Sequence, residues 1–271
     1  MKILKLVIPI LVSLLPLITL ACPITQADKM QGGRCINMGG YQMYMRAFGE
    51  KNPTIIFDSG SGDDSTTWNK VTPQVAKFAR VVVYDRVGLG KSQPNPKRLP
   101  VSSQTVVNDL QTLLKKAQIK PPYILVGHSR GGLNMQLFAE EYPKEIVGMV
   151  LLDSVSRNQT FHDAPPPKTS NYYLEAITVD QSEAQVKQAR PFPDIPLIVL
   201  TATCHHEAKS HEILWQKWQK QLAQLSPRGQ QMIVYGSTHY IQENQPSVVV
   251  DAIATIMSEL GKLNVPACQK N

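Results

Sequence analysis

A serine between glycines is the first candidate for chemistry in this sequence. Ser129 lies within residues 127–131 (GHSRG), between an apolar run and a segment with helical spacing. G-x-S-x-G at a strand-to-helix turn exposes the serine hydroxyl, and small neighbours relieve the crowding at this turn. Free N–H groups at the start of the helix face developing negative charge. The motif predicts that Ser129 is a nucleophile and not an incidental serine in a turn.

A serine hydroxyl needs a base within hydrogen-bonding reach, and His239 is the predicted base. It follows the last apolar run and precedes the last helical segment. His128 is a weaker candidate, because it adjoins Ser129 in the chain and its side chain should point away from the hydroxyl. We expect His128 to line the pocket or to pack beneath it.

An acid must orient the imidazole and stabilise its charged form. Asp153 ends the apolar run 147–152 and is the predicted acid. Glu207 is the alternative acid, because it is the carboxylate nearest to the end of the next run, 197–200. Asp153 also suits a structural role as a turn cap at a strand exit.

Apolar runs typical of buried strands alternate with helical segments after residue 35. The predicted strands are 41–48 (an antiparallel edge strand), 54–57, 81–84, 123–126, 147–152, 197–200 and 232–235, and the predicted helices are 102–118, 133–142, 213–225 and 247–263. This alternation predicts an α/β fold with a mostly parallel sheet and helices on both faces. The carboxyl ends of parallel strands meet at one edge, where such proteins build their sites.

Four blocks of the chain resemble the α/β-hydrolase fold superfamily, in its esterase- and lipase-like serine hydrolases. They are residues 57–62 (FDSGSG), residues 84–92 (YDRVGLGKS), the turn at Ser129, and residues 236–239 (GSTH). The resemblance extends from about residue 39 to 263. It implies a central sheet with a small inserted cap, a Ser129–Asp153–His239 triad in that chain order, and no cofactor or metal.

The resemblance also implies an oxyanion hole made of the backbone N–H groups of Ser61 and Arg130. Ser59 stands where many relatives carry a histidine, and this difference leaves the backbone donors intact. Trp68 is a candidate to line the acyl pocket, although helix or core packing is the more common role of such a residue.

Two further clusters have alternative interpretations. Asp85 and Arg86 are expected to form a buried pair behind the site. Cys204, Glu207 and His211 have a spacing that lets them share a helix face, which leaves zinc binding as an alternative to a polar loop. The H-E-x-x-H spacing of a zinc protease is not present.

Residues 154–194 interrupt the alternation with three consecutive prolines and polar helical stretches. Long irregular insertions in a domain are usually functional, so we expect a cap here. The predicted function is a carboxylic ester hydrolase acting on a small-molecule ester or acyl substrate. Amidase, peptidase, lactonase or acyltransferase activity on the same triad are alternatives, and a non-catalytic ligand-binding module is a third class.

The first 27 residues are typical of a secretory signal peptide. Lys2 and Lys5 precede an apolar run that contains two prolines, and a small-x-small site ends at Ala27. A transmembrane anchor and lipidation at Cys22 are the alternatives. Cleavage leaves an α/β-hydrolase domain, residues 28–271, which we expect in the periplasm or outside the cell, with no stable membrane span.

The cleaved chain would retain Cys35, Cys204 and Cys268, of which at most two can pair intramolecularly. Cys204 with Cys268 is weakly favoured. Removal of the leader lowers the net charge from +7 to +5. No run of Lys or Arg exceeds two residues, so nucleic acid is not an expected partner.

Overall fold

Short apolar runs form the strands of one eight-stranded sheet. A computed structural model describes residues 22–97, 99–159, 164–205 and 209–263. In chain order the strands are β1 (Gly33–Asn37), β2 (Gln42–Phe48), β3 (Thr54–Asp58), β4 (Arg80–Tyr84), β5 (Tyr123–His128), β6 (Ile146–Leu152), β7 (Leu197–Ala202) and β8 (Gly229–Val234). Their order across the sheet is β1-β2-β4-β3-β5-β6-β7-β8. β2 pairs antiparallel with β1 and β4, and the other neighbours pair in parallel.

Helices cover both faces of the sheet. They are α1 (Gln26–Met30), α2 (Thr72–Val75), α3 (Ser103–Lys116), α4 (Arg130–Glu141), α5 (Tyr173–Ala176), α6 (Val179–Gln188), α7 (Lys209–Ala223), α8 (Ile241–Asn244) and α9 (Pro246–Leu263). Successive strand residues face opposite sides, which gives two cores. Val82 packs with Leu110 of α3 on one side, and Val81 lies in the same core as Ile253 of α9 on the other.

The predicted α/β architecture is confirmed, and the differences lie at its first edge. The segment predicted as the edge strand forms β2, which lies between β1 and β4. The outer strand β1 has the sequence GRCIN, which alternates too weakly to predict a strand. Its extended conformation therefore depends on pairing with β2, because strand formation depends more on neighbouring strands than on the local sequence.

Two helices occupy the segment between β6 and β7, which we call the β6–β7 insertion (residues 154–196). Its α6 packs on α3 and α4. The Ser182 hydroxyl accepts a hydrogen bond from the Ser103 N–H at 3.0 Å, and the Thr178 hydroxyl donates to the Val101 carbonyl at 2.8 Å. These buried polar contacts attach the insertion to the carboxyl edge of the sheet, beside the start of α3.

The amino-terminal segment is attached to the sheet by covalent and polar contacts. A disulfide joins Cys22 to Cys35 of β1. Asp28 in α1 accepts hydrogen bonds from the Tyr44 hydroxyl at 2.8 Å and from the Lys91 ammonium at 2.5 Å. Although burial alone would raise the pKa of Asp28, these bonds hold it well below its usual range.

The structure contains a disulfide that the sequence did not predict. Cys35 bonds to Cys22, which the predicted cleavage after Ala27 would remove. Cys204 forms no disulfide within the described ranges, and Cys268 lies outside them. Sequence spacing could not identify this pair, because Cys35 reaches Cys22 only through the position of β1 in the sheet. Among the described residues, no helix is long and apolar enough to cross a membrane.

Candidate active site

Ser129 lies on a strained turn between β5 and α4. Its backbone has φ 52° and ψ −121°, a conformation that L-residues rarely adopt. Close packing explains the small residues around it. A Cβ on Gly127 would lie 2.6 Å from the Gly132 Cα, and one on Gly131 would lie 2.5 Å from the Ser59 carbonyl oxygen. The turn that the G-x-S-x-G motif predicts is therefore present, and it lies directly against the 59–62 loop.

Gly127→Ala should lower the free energy of unfolding by about 1–3 kcal/mol, the range for overpacking a rigid site. All three nearest atoms belong to the backbone, so no side chain can rotate away. Gly261→Ala is the matched control, because Gly261 lies in α9 and an added methyl group there would meet no atom within 4 Å. We expect the control to be neutral or stabilising by about 0.5–1 kcal/mol. Equal urea midpoints for Gly127→Ala and wild type would contradict this packing argument.

Asp153 and His239 form a direct pair. Asp153 follows β6 with φ 43° and is fully buried. Its Oδ2 accepts a hydrogen bond from Nδ1 of His239 at 2.7 Å, so the other ring nitrogen, Nε2, is left to act as a base. Of the two candidate acids, Asp153 is the one that the structure places on His239. Glu207 lies outside the described residues.

The Asp153 carboxylate has three further donors. Its Oδ1 accepts from the Trp215 indole N–H at 2.7 Å and from the Ala202 N–H at 3.0 Å. His205 Nε2 lies 2.6 Å from Oδ2. Burial would raise the pKa of Asp153, but the hydrogen bonds from His205 and His239 outweigh burial and hold the pKa well below its usual range. The carboxylate is therefore charged throughout the neutral range.

His239 lies beside the residue that precedes the serine. The His128 and His239 ring centroids are 4.6 Å apart, and His128 Nε2 lies 3.0 Å from the His239 carbonyl oxygen. His128 is fully buried, and burial lowers its pKa to about 3, so the neutral ring donates this bond. The Ser129 hydroxyl makes no hydrogen bond to any described residue. Such contacts are often long in unliganded enzymes and shorten when substrate binds.

Arg86 orients the loop that carries Ser61. Its guanidinium donates to the Ser59 carbonyl at 2.7 Å and to the Gly60 carbonyl at 2.6 Å. In a trans peptide the N–H points opposite to the C=O, so the Gly60 contact turns the Ser61 N–H away from Arg86. Within the described structure neither a backbone nor a side-chain acceptor takes this N–H. It is available to a ligand, as is expected of an oxyanion donor.

Arg86 is held by two acids, and neither is Asp85. It contacts the Asp58 carboxylate at 2.8 Å and the Glu175 carboxylate of α5 at 2.5 Å, and all three residues are almost fully buried. The expected Asp85–Arg86 pair is therefore wrong. The Asp85 carboxylate accepts from the backbone N–H groups of Ser65 and Lys91, both at 2.8 Å. Adjacent residues leaving a strand point in opposite directions, which separates them.

Glu175→Gln should lower the free energy of unfolding by about 3 kcal/mol, because it leaves a buried guanidinium with one carboxylate fewer. In wild type the Gly62 N–H donates to Glu175 at 3.3 Å. Glutamine keeps the shape of the side chain, but its NH2 group would face a second donor, either the Arg86 guanidinium or the Gly62 N–H. Glu259→Gln is the control, since its pair with Arg228 is only half-buried and is 3.4 Å long. The control should change stability by less than about 0.5 kcal/mol. Similar losses in both variants would contradict the account.

Of two other expected sites, Trp68 differs in the structure and the zinc alternative extends outside the described residues. Trp68 is fully buried in the core and donates from its indole N–H to the Ser59 hydroxyl at 2.9 Å, so it supports the loop and does not line an open pocket. Ser59, where many relatives have histidine, thereby links the loop to the core. The possible zinc ligands include Glu207, which is not described.

A different trio has metal-ligand geometry, namely Asp153, His205 and His239, whose candidate atoms lie within 4.8 Å of one another. Both histidines hydrogen-bond to the same carboxylate oxygen. A ring nitrogen that donates its N–H to this oxygen has no lone pair with which to bind a metal ion. The trio therefore fits a hydrogen-bonded cluster better than a metal site. Sequence reasoning missed His205, because its place depends on the loop after β7.

Comparisons with known proteins agree with the fold described above. The alpha/beta hydrolase fold family matches residues 53–247. YqjL, an uncharacterized protein of Bacillus subtilis (strain 168), is 28% identical over 213 residues, which are 76% of this chain and 83% of that protein.

Solved structures show the same fold at low sequence identity. A candidate lipase from Acinetobacter baumannii AYE has a TM-score of 0.67 at 16% identity, covering 88% of this chain and 95% of that one. An esterase from Thermogutta terrifontis has a TM-score of 0.62 at 17% identity, covering 84% and 98%. The family match over most of the sheet and both sides of the Ser129 turn shows that this chain belongs to the α/β hydrolase fold family.

Proposed function

We propose that the protein is a serine hydrolase that cleaves carboxylic esters through an acyl-enzyme. The observation that carries the proposal is the 2.7 Å hydrogen bond between Asp153 and His239, formed beside the strained turn that presents Ser129. A buried carboxylate on Nδ1 fixes the imidazole tautomer that can accept a proton at Nε2. A non-catalytic binding module would need neither this pair nor the strained serine.

The mechanism follows from the order of these groups. Ser129 Oγ attacks the ester carbonyl carbon while His239 Nε2 takes the hydroxyl proton. The oxygen of the tetrahedral intermediate accepts from the N–H groups of Ser61 and Arg130. The bond to the alcohol then breaks, and His239 gives its proton to the leaving oxygen. Water attacks the acyl-enzyme, with its proton passing to His239, and the carboxylic acid leaves as Ser129 regains its proton.

The β6–β7 insertion is the proposed cap. Its residue Glu175 contacts both Arg86 and the Gly62 N–H, so the insertion and the 59–62 loop share one buried polar cluster. A cavity of about 450 Å³ lies between the insertion and the loop after β4, and Val87, Val101, Leu174 and Glu175 are among its lining residues. We propose that this space receives part of the substrate.

Export is also a proposal. The Cys22–Cys35 disulfide suits an oxidising compartment. Because Cys22 takes part in this bond, we propose that the leader is cleaved before Cys22 and not after Ala27. A sulfur in a disulfide cannot also carry a lipid, which argues against a lipid anchor at Cys22.

Initial rates on p-nitrophenyl esters of graded acyl length test the proposed function. We expect turnover by wild type, with a chain-length optimum that reports the depth of the acyl site. Reaction of Ser129 with a fluorophosphonate probe but no turnover of any ester would favour the amidase, lactonase or acyltransferase alternatives. Neither turnover nor reaction would contradict the hydrolase proposal and favour a binding module.

A further inference from the structure

A second histidine contacts the acid of the site. His205, in the loop after β7, places Nε2 2.6 Å from the same Asp153 oxygen that His239 contacts. The mechanism above needs a single histidine on the acid, so His205 has no part in it. His205 is 8% exposed in its side chain, and its ring centroid lies 6.3 Å from that of His239.

The other nitrogen of His205 also faces a carboxylate. Nδ1 lies 3.0 Å and 2.9 Å from the two oxygens of Glu212, in the first turn of α7. A neutral imidazole has one N–H donor and one acceptor nitrogen, whereas a carboxylate only accepts. Since both nitrogens meet carboxylates, both must donate, and His205 is therefore an imidazolium.

Electrostatics agree with this protonation state. Burial lowers the pKa of His205, but hydrogen bonds and charge from Asp153 and Glu212 outweigh burial and raise it to about 9. Among the described residues, the titratable groups beside its ring are Asp153 after β6, Glu212 on α7 and His239 after β8, and the Trp215 ring lies 5.4 Å away.

We propose that His205 is a positioning residue, which, in its charged form and held by Glu212, fixes the Asp153 carboxylate on His239 and partly neutralises it. The inference rests on the proposed serine hydrolase function. Four side chains then form one chain of hydrogen bonds, Glu212–His205–Asp153–His239. Glu212 holds His205 at the outer end, and His239 lies at the inner end, beside the His128 ring that precedes Ser129.

This chain of hydrogen bonds has two consequences for catalysis. The His205 charge and the proton that His239 gains during catalysis meet at the same Asp153 oxygen, so the two positive charges repel each other. Loss of the His205 proton at high pH turns one nitrogen into an acceptor facing a carboxylate. That contact is repulsive and loosens Asp153, so wild-type activity should fall as the pH rises past about 9.

Two variants separate these consequences in pH profiles of kcat/KM on the best p-nitrophenyl ester. His205→Gln should move the acid limb to higher pH by about one unit, because Asp153 loses its neutralising neighbour. It should lower kcat by about 10- to 100-fold with little change in KM, the cost of a loosened catalytic group. Glu212→Gln keeps a hydrogen-bond acceptor for His205 but removes the charge, so it should move the alkaline limb to lower pH and leave the acid limb in place.

Glu243→Gln is the matched control for Glu212→Gln. Glu243 is exposed on α8, close in sequence to His239, and its side chain is not part of the chain of hydrogen bonds. We expect both limbs to stay where they are in wild type. Both limbs of the pH profile could stay at their wild-type positions in His205→Gln and Glu212→Gln while fluorophosphonate still reacts at Ser129. That result would overturn the role of His205 and leave the hydrolase function standing.

Proton NMR of the wild-type protein gives a readout that needs neither substrate nor a folded His205 variant. Three ring N–H groups should give far-downfield signals at pH 7.5: His239 Nδ1 and His205 Nε2, which donate to Asp153, and His205 Nδ1, which donates to Glu212. Glu212→Gln should make the His205 Nε2 signal disappear at lower pH than in wild type. A single downfield signal in wild type would overturn the proposal.

Discussion

Ser129→Ala is expected to lower kcat on p-nitrophenyl esters by about 10⁴- to 10⁶-fold, the cost of removing the nucleophile of a triad. In the proposed mechanism this hydroxyl makes the covalent bond to the acyl group, and alanine has no group that can replace it. The Ser129 side chain is half-buried and makes no hydrogen bond to a described residue, so the variant should fold normally. Initial rates and urea unfolding measured on the same preparations check both statements.

Ser247→Ala is the control for this experiment. Ser247 is an exposed residue near the start of α9, and its loss should leave rate and stability unchanged. Ester turnover by Ser129→Ala within about 10-fold of wild type would show that another group attacks the substrate.

Asp153→Asn is expected to lower kcat by about 10³- to 10⁴-fold with a smaller effect on KM. The carboxylate accepts from four donors, two of them histidines. Asparagine has one acceptor oxygen and an NH2 group, which must face an N–H of Ala202 or Trp215, or of one of the histidines. His239 then loses its fixed tautomer and the charge that stabilises its protonated form.

Asp194→Asn is the matched control, because Asp194 is exposed in the β6–β7 insertion. Its activity should equal that of wild type. Glu207→Gln tests the alternative acid. Near-full activity in Asp153→Asn together with a large loss in Glu207→Gln would transfer the role of the acid to Glu207.

Local sequence patterns, together with the resemblance to the α/β-hydrolase fold, were enough to predict the parts of the site that depend on a single strand end. Ser129 follows β5, Asp153 follows β6 and His239 follows β8, and parallel strands bring these ends to one edge. The run of buried apolar residues marks each strand, so the polar residue after it has a defined place. The Asp153–His239 contact was predictable for this reason.

Contacts between distant loops were not predictable in the same way. Arg86 pairs with Glu175 across 89 positions of sequence, and His205 meets Asp153 across 52. Neither pair has a local signal, because a charged residue in a loop predicts solvent exposure. Only the way the β6–β7 insertion and α7 pack on the sheet buries these groups and makes them partners.

Peptide mass spectrometry after reaction with a fluorophosphonate probe is the most direct test of the central claim, that Asp153 and His239 activate Ser129 as a nucleophile. Wild type should carry one phosphonyl adduct, on the peptide that contains Ser129. Ser129→Ala should carry none, and Asp153→Asn should react more slowly at the same residue. An unmodified Ser129 peptide in folded wild type, or an adduct on a different serine, would contradict the account.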